Sequence, residues 1–398
     1  MEYNLSYKIM GVKPSAIREI LKLSSDPSII AFSAGNPAHE AFPIEAVTEI
    51  TADIMANDPI TALQYSVTEG YAPLRETMKN LCRTRYGFDM ANDDLLIVSG
   101  AQQGIEFACK VFCNEGDSII CEDPSFIGSL NSFRSYGTNL IGVQQEQDGM
   151  NMEMLEKTLS EAKNIKLIYV IPNFQNPTGN TMSLQKRKEL YRLACKYNVM
   201  IIEDNPYGEL RFEGEDIPSI KSFDTEGRVI YVGSFSKILS PGLRVGYVVL
   251  NNALSGKFVV AKQCSDVHTA ILNQMICEKF ITQYNLDAHI SKIREMYKQR
   301  SSLMLELLKE HFSKKVTFTH PQGGLFIWCT MPHGTDTAKF CSEAISRYGV
   351  AVVPGNAFNC DVNAASDCFR INFSSPSEQN IIKGCECLGK LTKEWFGN

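Results

Sequence analysis

The amino-acid sequence predicts an α/β protein with a large domain, built on a mostly parallel seven-stranded sheet covered by helices, and a smaller α+β domain. Between residues 95 and 250, seven short apolar segments alternate with helical patterns, which is typical of a sheet buried on both faces. After about residue 280 the alternation stops, and a long charged helical pattern is followed by isolated strand patterns. The length of 398 residues is also more than one small core requires.

The predicted strands share short runs of branched and aromatic residues between turn residues. In the large domain they are 95–98, 118–121, 139–143, 165–171, 199–203, 229–233 and 245–250. In the smaller domain the predicted elements are a helix over 286–312, strands over 324–330, 350–353 and 369–373, and a helix over 377–396. Because ligands gather at the carboxyl ends of parallel strands, the polar residues that follow the strands are the first candidates for a site.

The first 45 residues hold one helical pattern, over 14–23, and then a loop. We predict that residues 1–45 form an N-terminal arm and part of the small domain, that 46–280 form the large domain, and that 281–398 form the small C-terminal domain. The loop around residues 24–40 is a candidate lid over a site.

Composition and charge argue against several classes of function. The net charge is −6 and no dense Lys/Arg run occurs, so we expect neither a nucleic-acid partner nor binding to an acidic membrane surface. No run reaches about 18 uncharged apolar residues, so no membrane span is predicted. The 13 cysteines, an odd number without metal-ligand spacing, predict reduced thiols and no metal site. Because residues 1–6 also lack the pattern of a secretory signal, we expect a cytoplasmic protein.

The most informative segment is 233–246, G-S-F-S-K-I-L-S-P-G-L-R-V-G, directly after a predicted strand. A lysine that forms a Schiff base must be held and desolvated, because its free pKa of about 10.4 leaves it protonated. Lys237 is the candidate for that lysine. The hydroxyls of Ser234 and Ser236 and the guanidinium of Arg244 would hold a phosphate, and an arginine can bind two of its oxygens at once. A lone lysine is usually a surface residue, whereas this combination is specific.

This segment resembles the lysine segment of fold-type-I pyridoxal-5′-phosphate (PLP) enzymes in the class I and II aminotransferase group, and the resemblance extends from Gly35 to Arg370. It implies the fold of a fold-type-I PLP transferase, with PLP held by Lys237 as a Schiff base in the large domain. It also implies a ping-pong reaction that moves an amino group from an L-amino acid to a 2-oxo acid, for which 2-oxoglutarate is a candidate.

Two segments match the family where it holds the cofactor ring. In E-D-N-P-Y, at the end of strand 199–203, Asp204 would keep the pyridine nitrogen protonated and Tyr207 would bind the phenolic oxygen. In P-N-F-Q-N-P-T-G, Asn176 would donate to the same oxygen. Taken alone, the aspartate is typical of a turn or cap, and N-P-T-G is only a turn signal.

Two further segments match the family around the phosphate and the ring face. S-G-A-Q-Q-G follows strand 95–98 and opens a helix, whose first amides, those of Ala101 and Gln102, would bind the phosphate. Phe126 would stack on the ring, where many relatives have a tyrosine that can also donate a hydrogen bond. The alternative for S-G-A-Q-Q-G is a tight turn between a strand and a helix. The alternative for Phe126 is an ordinary core phenylalanine.

The resemblance also implies substrate and partner contacts. Arg370, in an apolar strand pattern, needs an anionic partner, and in the family this position binds the substrate α-carboxylate with help from Gly35 and Asn176. Arg18 matches the N-terminal helix of 2-aminoadipate- and aromatic-type transaminases and would meet a distal carboxylate, unless it is a solvated helix residue. Tyr65 would reach the neighbouring subunit's phosphate, which implies a homodimer with shared sites, unless it is an ordinary packed or surface tyrosine.

Two alternatives remain open. Other fold-type-I PLP enzymes, such as C–S lyases, decarboxylases and synthases, use the same cofactor residues, because the reaction depends on which Cα bond stands perpendicular to the ring. The PLP-sensing domain of some bacterial transcription regulators has the same fold. Those proteins carry a winged helix-turn-helix ahead of it, for which residues 1–13 leave no room, and this chain is acidic.

Overall fold

The structure, a computed structural model, describes residues 3–10, 26 and 28–398. The helix predicted over 14–23 lies outside the described residues, as does part of the candidate lid around 24–40. In the part of the chain that is described, no helix is both long and apolar enough to cross a membrane, and no group of His, Cys, Asp or Glu side chains is placed to hold a metal ion.

The strands, in chain order, are β1 (Ile30–Ala31), β2 (Asp93–Val98), β3 (Ser118–Asp123), β4 (Asn139–Glu146), β5 (Gly149–Met150), β6 (Ile165–Val170), β7 (Met200–Asp204), β8 (Val229–Ser234), β9 (Gly246–Asn251), β10 (Thr317–Phe318), β11 (Phe326–Thr330), β12 (Val350–Ala351), β13 (Val353–Pro354) and β14 (Cys368–Asn372).

The α-helices are α1 (Tyr7–Met10), α2 (Ile44–Asn57), α3 (Pro59–Leu63), α4 (Ala72–Thr84), α5 (Ala101–Phe112), α6 (Ile127–Ser135), α7 (Met152–Glu161), α8 (Leu184–Tyr197), α9 (Asn252–Gln263), α10 (Ile271–Gln283), α11 (Leu286–His311), α12 (Thr337–Tyr348) and α13 (Glu378–Phe396). Short 3₁₀ turns lie at His39–Ala41, Gly208–Leu210, Ile220–Phe223, Pro241–Leu243 and Gly355–Phe358.

The large sheet has eight strands in the order β2-β9-β8-β7-β6-β3-β4-β5. Each of the seven predicted strands is present, within a few residues at its ends. Neighbours from β8 to β4 run parallel, whereas β9 is antiparallel to both β8 and β2. The eighth strand, β5, pairs two residues antiparallel to β4. It was not predicted, because two residues are too few to show a period.

The alternation along β6 shows why its segment reads as continuously apolar. Leu167 and Tyr169 belong to the apolar core on one face of the sheet, and Ile168 and Val170 belong to the core on the other face, under α7 and α8. A strand buried on both faces has no solvated side on which polar residues could alternate. The prediction of a doubly covered α/β sheet is therefore confirmed.

The smaller sheet has the order β10-β11-β14-β13 and is antiparallel throughout. α12 packs against β13 and β14, and α13 packs against α11 and α12, as in an α+β domain. The N-terminal segment joins this part of the molecule, because β1 pairs parallel with β12. The domain bounds 1–45, 46–280 and 281–398 stay a prediction.

One edge of the large sheet collects the chain segments that matter for the site. The parallel strands β3, β6, β7 and β8 all end there. Because β9 is antiparallel to both neighbours, its first residue, Gly246, pairs with Ser234 at the end of β8 and with Val98 at the end of β2. The antiparallel strand thus brings the turn that opens α5 next to the loop that follows β8.

Candidate active site

A cleft of about 340 Å³ opens at this edge, between the large sheet and the smaller one. It brings together every predicted cofactor and substrate residue except Tyr65 and Arg18. Those that line it are Gly35, Ala101, Gln102, Phe126, Asn176, Asp204, Tyr207, Ser234, Ser236, Lys237, Arg244 and Arg370. Arg18 lies outside the described residues.

Lys237 lies in the loop after β8, and its ammonium donates to the carbonyl of Gly35 at 2.8 Å. Desolvation lowers the pKa of Lys237 to about 8, and the positive charges of Arg370 and Arg244 add to this effect. A lysine with such a pKa is partly neutral at physiological pH, and a neutral amine can act as a nucleophile or a base.

Asp204 ends β7 and is buried. One carboxylate oxygen, Oδ2, accepts a hydrogen bond from the Tyr169 hydroxyl at 2.7 Å. The other, Oδ1, is buried without a partner among the described residues. Burial raises the pKa of Asp204 to about 7. A buried acceptor without a donor is costly, and a protonated ring nitrogen in the cleft is the kind of group that would satisfy it.

Arg370 lies on β14 and is buried without a carboxylate partner among the described residues. Its Nη1 donates to Asn176 Oδ1 and its Nη2 to the Ser33 carbonyl, both at 2.8 Å, while Nε has no partner. The guanidinium lies 4.1 Å from the ring centre of Phe326 and 5.1 Å from that of Phe358. Burial lowers its pKa to about 10. A buried, unpaired guanidinium that lines a cleft is suited to a carboxylate.

Asn176 and Tyr207 meet beside this arginine. The Asn176 oxygen accepts from Arg370, and both Asn176 and Tyr207 line the cleft. Burial raises the pKa of Tyr207 above its ordinary value, with Arg370 opposing the shift. The tyrosine hydroxyl therefore keeps its proton at physiological pH, and the pair offers donors to an oxygen in the cleft.

At the other end of the cleft, α5 begins after Gly100 without a side-chain cap. The amides of Ala101 and Gln102 are among the first-turn donors that no helix carbonyl can accept. Gly100 has φ +83°, and a Cβ there would lie 2.2 Å from Nη2 of Arg244. Only glycine thus lets that guanidinium approach the helix start, where together they form a site for an anion.

Arg244 itself has φ 52°, in the left-handed region, and donates to the carbonyls of Ser99 and Pro241, each at 3.3 Å. Ser234 Oγ accepts from the Ser236 amide at 3.1 Å. These groups would hold the phosphate of PLP, and Phe126, whose ring lies against Gly128, would face the cofactor ring. The residues present therefore fit PLP at both of its ends.

Tyr65 is not in the cleft of its own chain. It is 81% exposed, and its ring meets the His268 ring edge-on with 5.8 Å between centres.

Sequence reasoning missed three supporting residues. Tyr169 fixes Asp204, and Ser33 supplies the carbonyl that holds Arg370. Glu122, buried at the end of β3, accepts from the Ile171 amide at 3.0 Å and from Gln175 at 3.3 Å, and burial raises its pKa to about 8. For Tyr169 and Glu122 the sequence signal was a polar or charged group inside an otherwise aliphatic strand, whereas Ser33 lies in a turn and gave no such signal.

A larger cavity of about 760 Å³ lies beyond Pro206 and does not contain Lys237. Its charged groups are already paired, since Glu209 contacts Arg85 at 2.6 Å and Arg294 at 3.4 Å. The unsatisfied groups, and not the cavity size, identify the site.

The model of the family "Aminotransferase class I and II" matches residues 27–388 of the chain. An aromatic-amino-acid aminotransferase 1 from Thermococcus litoralis is 40% identical over 99% of this chain and 95% of its own. A 2-aminoadipate transaminase from Thermus thermophilus is 35% identical over 96% and 94%.

Solved structures agree with these sequence matches. A Pyrococcus horikoshii kynurenine aminotransferase in complex with PMP has a TM-score of 0.95, with 39% identity over 99% of this chain and 98% of that one. The Thermus thermophilus α-aminoadipate aminotransferase LysN, complexed with N-(5′-phosphopyridoxyl)-L-leucine, has a TM-score of 0.89, with 33% identity over 98% and 97%.

Proposed function

We propose, for a chain that belongs to the class I and II aminotransferases, that an aromatic L-amino acid is the amino donor and that 2-oxoglutarate is the candidate acceptor. PLP-dependent transamination itself follows from the family, because its model covers residues 27–388 and named aminotransferases are 35–40% identical along nearly the whole chain. The observation that carries the proposal is Arg370, a buried cation without a carboxylate partner, beside the apolar ring of Phe326.

The surroundings of Arg370 favour an apolar substrate side chain. The cleft wall contains Ile105, Phe126 and Phe326. The cations that line it in the described chain are all assigned, two to PLP and one to the substrate α-carboxylate. Among the described residues, an acidic side chain would meet no free cation there, whereas an aromatic ring would bury apolar area. The names of the aromatic-amino-acid and kynurenine relatives support the same donor class.

The acceptor 2-oxoglutarate has a second carboxylate, for which Arg18 stays the prediction. L-2-Aminoadipate has the same distal group and is the second candidate donor, supported by a relative of that name. Arg18→Ala should raise KM for 2-oxoglutarate and leave KM for L-phenylalanine unchanged. Equal effects on both substrates would remove Arg18 from the site.

When bound, PLP supplies an electron sink that stabilises negative charge on the substrate Cα. Arg370 would hold the α-carboxylate and so set which Cα bond faces Lys237. Lys237 Nζ, in its neutral form, would take the Cα proton as general base. Asp204 Oδ1 would accept a hydrogen bond from the protonated ring nitrogen, and Asn176 with Tyr207 would hold the phenolic oxygen.

A half-reaction without acceptor tests the proposal. Holoenzyme mixed with L-phenylalanine should release one equivalent of phenylpyruvate per chain and then stop until 2-oxoglutarate is added. L-Glutamate, L-2-aminoadipate and L-alanine serve as comparison donors. Continuous release of ammonia or CO₂ would instead identify a lyase or a decarboxylase, and a faster reaction with L-2-aminoadipate than with L-phenylalanine would refute the aromatic donor.

We also propose a homodimer in which Tyr65 completes the partner's site. α3 and the residues after it expose large apolar side chains next to one another: Ile60 is 74% exposed, Leu63 69%, Tyr65 81% and Val67 56%. Several exposed large apolar side chains within eight residues are typical of a protein–protein contact. The predicted family role of Tyr65 supports a second copy of the chain as the partner.

Hybrid enzymes test the shared site. Tyr65→Ala and Lys237→Ala chains are mixed, dissociated and reassembled. If Tyr65 serves the partner, each hybrid dimer contains one intact site, and the randomly reassembled mixture, half of which is hybrid, should recover activity towards a quarter that of the native enzyme. If Tyr65 serves its own chain, or if the protein is a monomer, no activity returns.

We further propose a cytoplasmic location. All 13 cysteines are free thiols, and Cys264 is exposed, which suits a reducing compartment. Fractionation of the source cells should recover the chain with cytosolic markers, and recovery in an exported fraction would contradict the proposal.

A further inference from the structure

An ion pair between a buried lysine and a partly exposed aspartate lies directly behind the turn that opens α5. Lys262, in the last turn of α9, exposes none of its side chain. Its ammonium donates to Asp266 at 2.9 Å, to the Thr269 hydroxyl at 3.0 Å and to the Gln103 side-chain oxygen at 2.8 Å. A fully buried lysine is rare, because desolvating its charge is costly. The reaction described above does not use this one.

The partners of the pair converge on Ser99. Asp266 Oδ2 accepts from the Ser99 hydroxyl at 2.5 Å and from Gln103 Nε2 at 2.9 Å, and Gln103 Oε1 accepts from the Ser99 amide at 2.8 Å. The Ser99 carbonyl in turn accepts from Arg244 at 3.3 Å. The amide, hydroxyl and carbonyl of Ser99 are therefore all hydrogen-bonded. Ser99 directly precedes Gly100 and the first amides of α5.

The charges of this ion pair add little net attraction for an anion in the cleft. Burial alone would raise the pKa of Asp266, but hydrogen bonds from Ser99 and Gln103 and the ammonium of Lys262 lower it below its ordinary value. An ionised aspartate largely cancels the lysine charge at the distance of the cleft. Backbone amides, however, bind an anion well only when their directions are fixed before it arrives.

We propose that Lys262 and Asp266 are positioning residues for the cofactor phosphate, which hold the Ser99–Gly100 turn so that the α5 amides and Arg244 converge on it. Neither residue touches the phosphate. The inference rests on the proposed assignment of the phosphate to this end of the cleft.

The test compares the affinity of the apoenzyme for PLP with its affinity for pyridoxal, which lacks the phosphate. In Lys262→Met, we expect the dissociation constant for PLP to rise on the order of tenfold, the lower end of what residues that orient a ligand-binding group contribute in metal sites. The constant for pyridoxal should not change. Inorganic phosphate should compete with PLP less well, by the same factor.

Lys221→Met is the matched control. Lys221 is also a buried lysine, with 1% of its side chain exposed, and contacts Asp93 at 2.8 Å and Asp224 at 3.0 Å. Asp93 begins β2, whereas Ser99 follows its end, so the control pair lies at the far edge of the sheet. We expect this variant to lower thermal stability and to leave both dissociation constants unchanged.

Arg244→Ala distinguishes a failure of the positioning role from a failure of the phosphate assignment. If Arg244→Ala weakens PLP but not pyridoxal while Lys262→Met changes neither, the positioning role is refuted and the phosphate assignment stands. If Arg244→Ala has no effect on PLP, the assignment is wrong and the inference falls with it. Equal losses for PLP and pyridoxal in Lys262→Met would also overturn it. If that variant does not fold, Ser99→Ala, which leaves the ion pair intact, is judged by the same criteria.

Discussion

Replacing Arg370 by lysine tests the carboxylate assignment, because it keeps the charge and removes the planar fork. The guanidinium is fixed by Asn176 and Ser33, both at 2.8 Å, and lies 4.1 Å from the ring centre of Phe326, so a carboxylate meets it in one orientation. A lysine offers a point charge, and one of two charge-assisted hydrogen bonds is lost. At about 1.5–3 kcal/mol for such a bond, kcat/KM for L-phenylalanine should fall roughly 10–150-fold.

The assay follows the half-reaction with L-phenylalanine and with 2-phenylethylamine, which has the same ring and no carboxylate. Arg370→Lys should slow only the amino acid. Arg187→Lys is the control: Arg187 is fully buried, donates to the carbonyls of Met182 and Pro172 and does not line the cleft, so its replacement should lower stability without discriminating between the two amines. An equal loss for both amines in Arg370→Lys would refute the reasoning, because the arginine would then act on the fold or the cofactor.

Three further predictions concern the cofactor. Covalent attachment of PLP to the apoenzyme should accelerate with pH up to about 8, the lowered pKa of Lys237, and then level off; a rate in stopped-flow absorbance that rises until about pH 10.4 would indicate an ordinary lysine. Asp204→Asn should slow turnover on the order of 100-fold, because a neutral amide cannot balance the ring nitrogen's charge; wild-type kcat would contradict the assignment. Gly100→Ala should destabilise the fold by about 1–3 kcal/mol in chemical denaturation, since φ is +83° there, and should weaken PLP binding by displacing Arg244; unchanged PLP affinity would separate this turn from the phosphate.

The strands could be predicted because a sheet buried on both faces leaves long apolar runs in the sequence. The antiparallel direction of β9 could not be predicted. It depends on how the 235–245 loop and the turn between β2 and α5 place β9 between β2 and β8. β10, which pairs two residues with β11, has no period to detect. Local pattern thus predicts the existence of an element, whereas its direction and its short neighbours depend on tertiary contacts.

The candidate site, like the fold, could be predicted from the sequence only in part. Asp204, Asn176 and Lys237 could be placed together, because strands that run parallel deliver their carboxyl ends to one edge. The residues that hold the site side chains in place could not be predicted, because each contacts a partner far along the chain. Ser33, for example, holds Arg370 from 337 residues away. Nothing in a single strand or helix pattern encodes such a contact.

Two buried groups among the described residues of the site lack partners, one a hydrogen-bond donor and the other an anion, and bound ligands would supply both. Asp204 Oδ1 is an acceptor without a donor, and Arg370 is a cation without an anion, both buried in the described chain. They do not neutralise each other, because each is held by its own partner, Tyr169 for the aspartate and Asn176 for the arginine. A protein that keeps these two groups apart is less stable without its ligands. Binding of PLP, and then of the substrate, would stabilise the folded state. The same separation would orient the reactants: Asp204 would stabilise positive charge on the ring nitrogen, Arg370 would hold the substrate carboxylate, and Lys237 would act on the carbon between them.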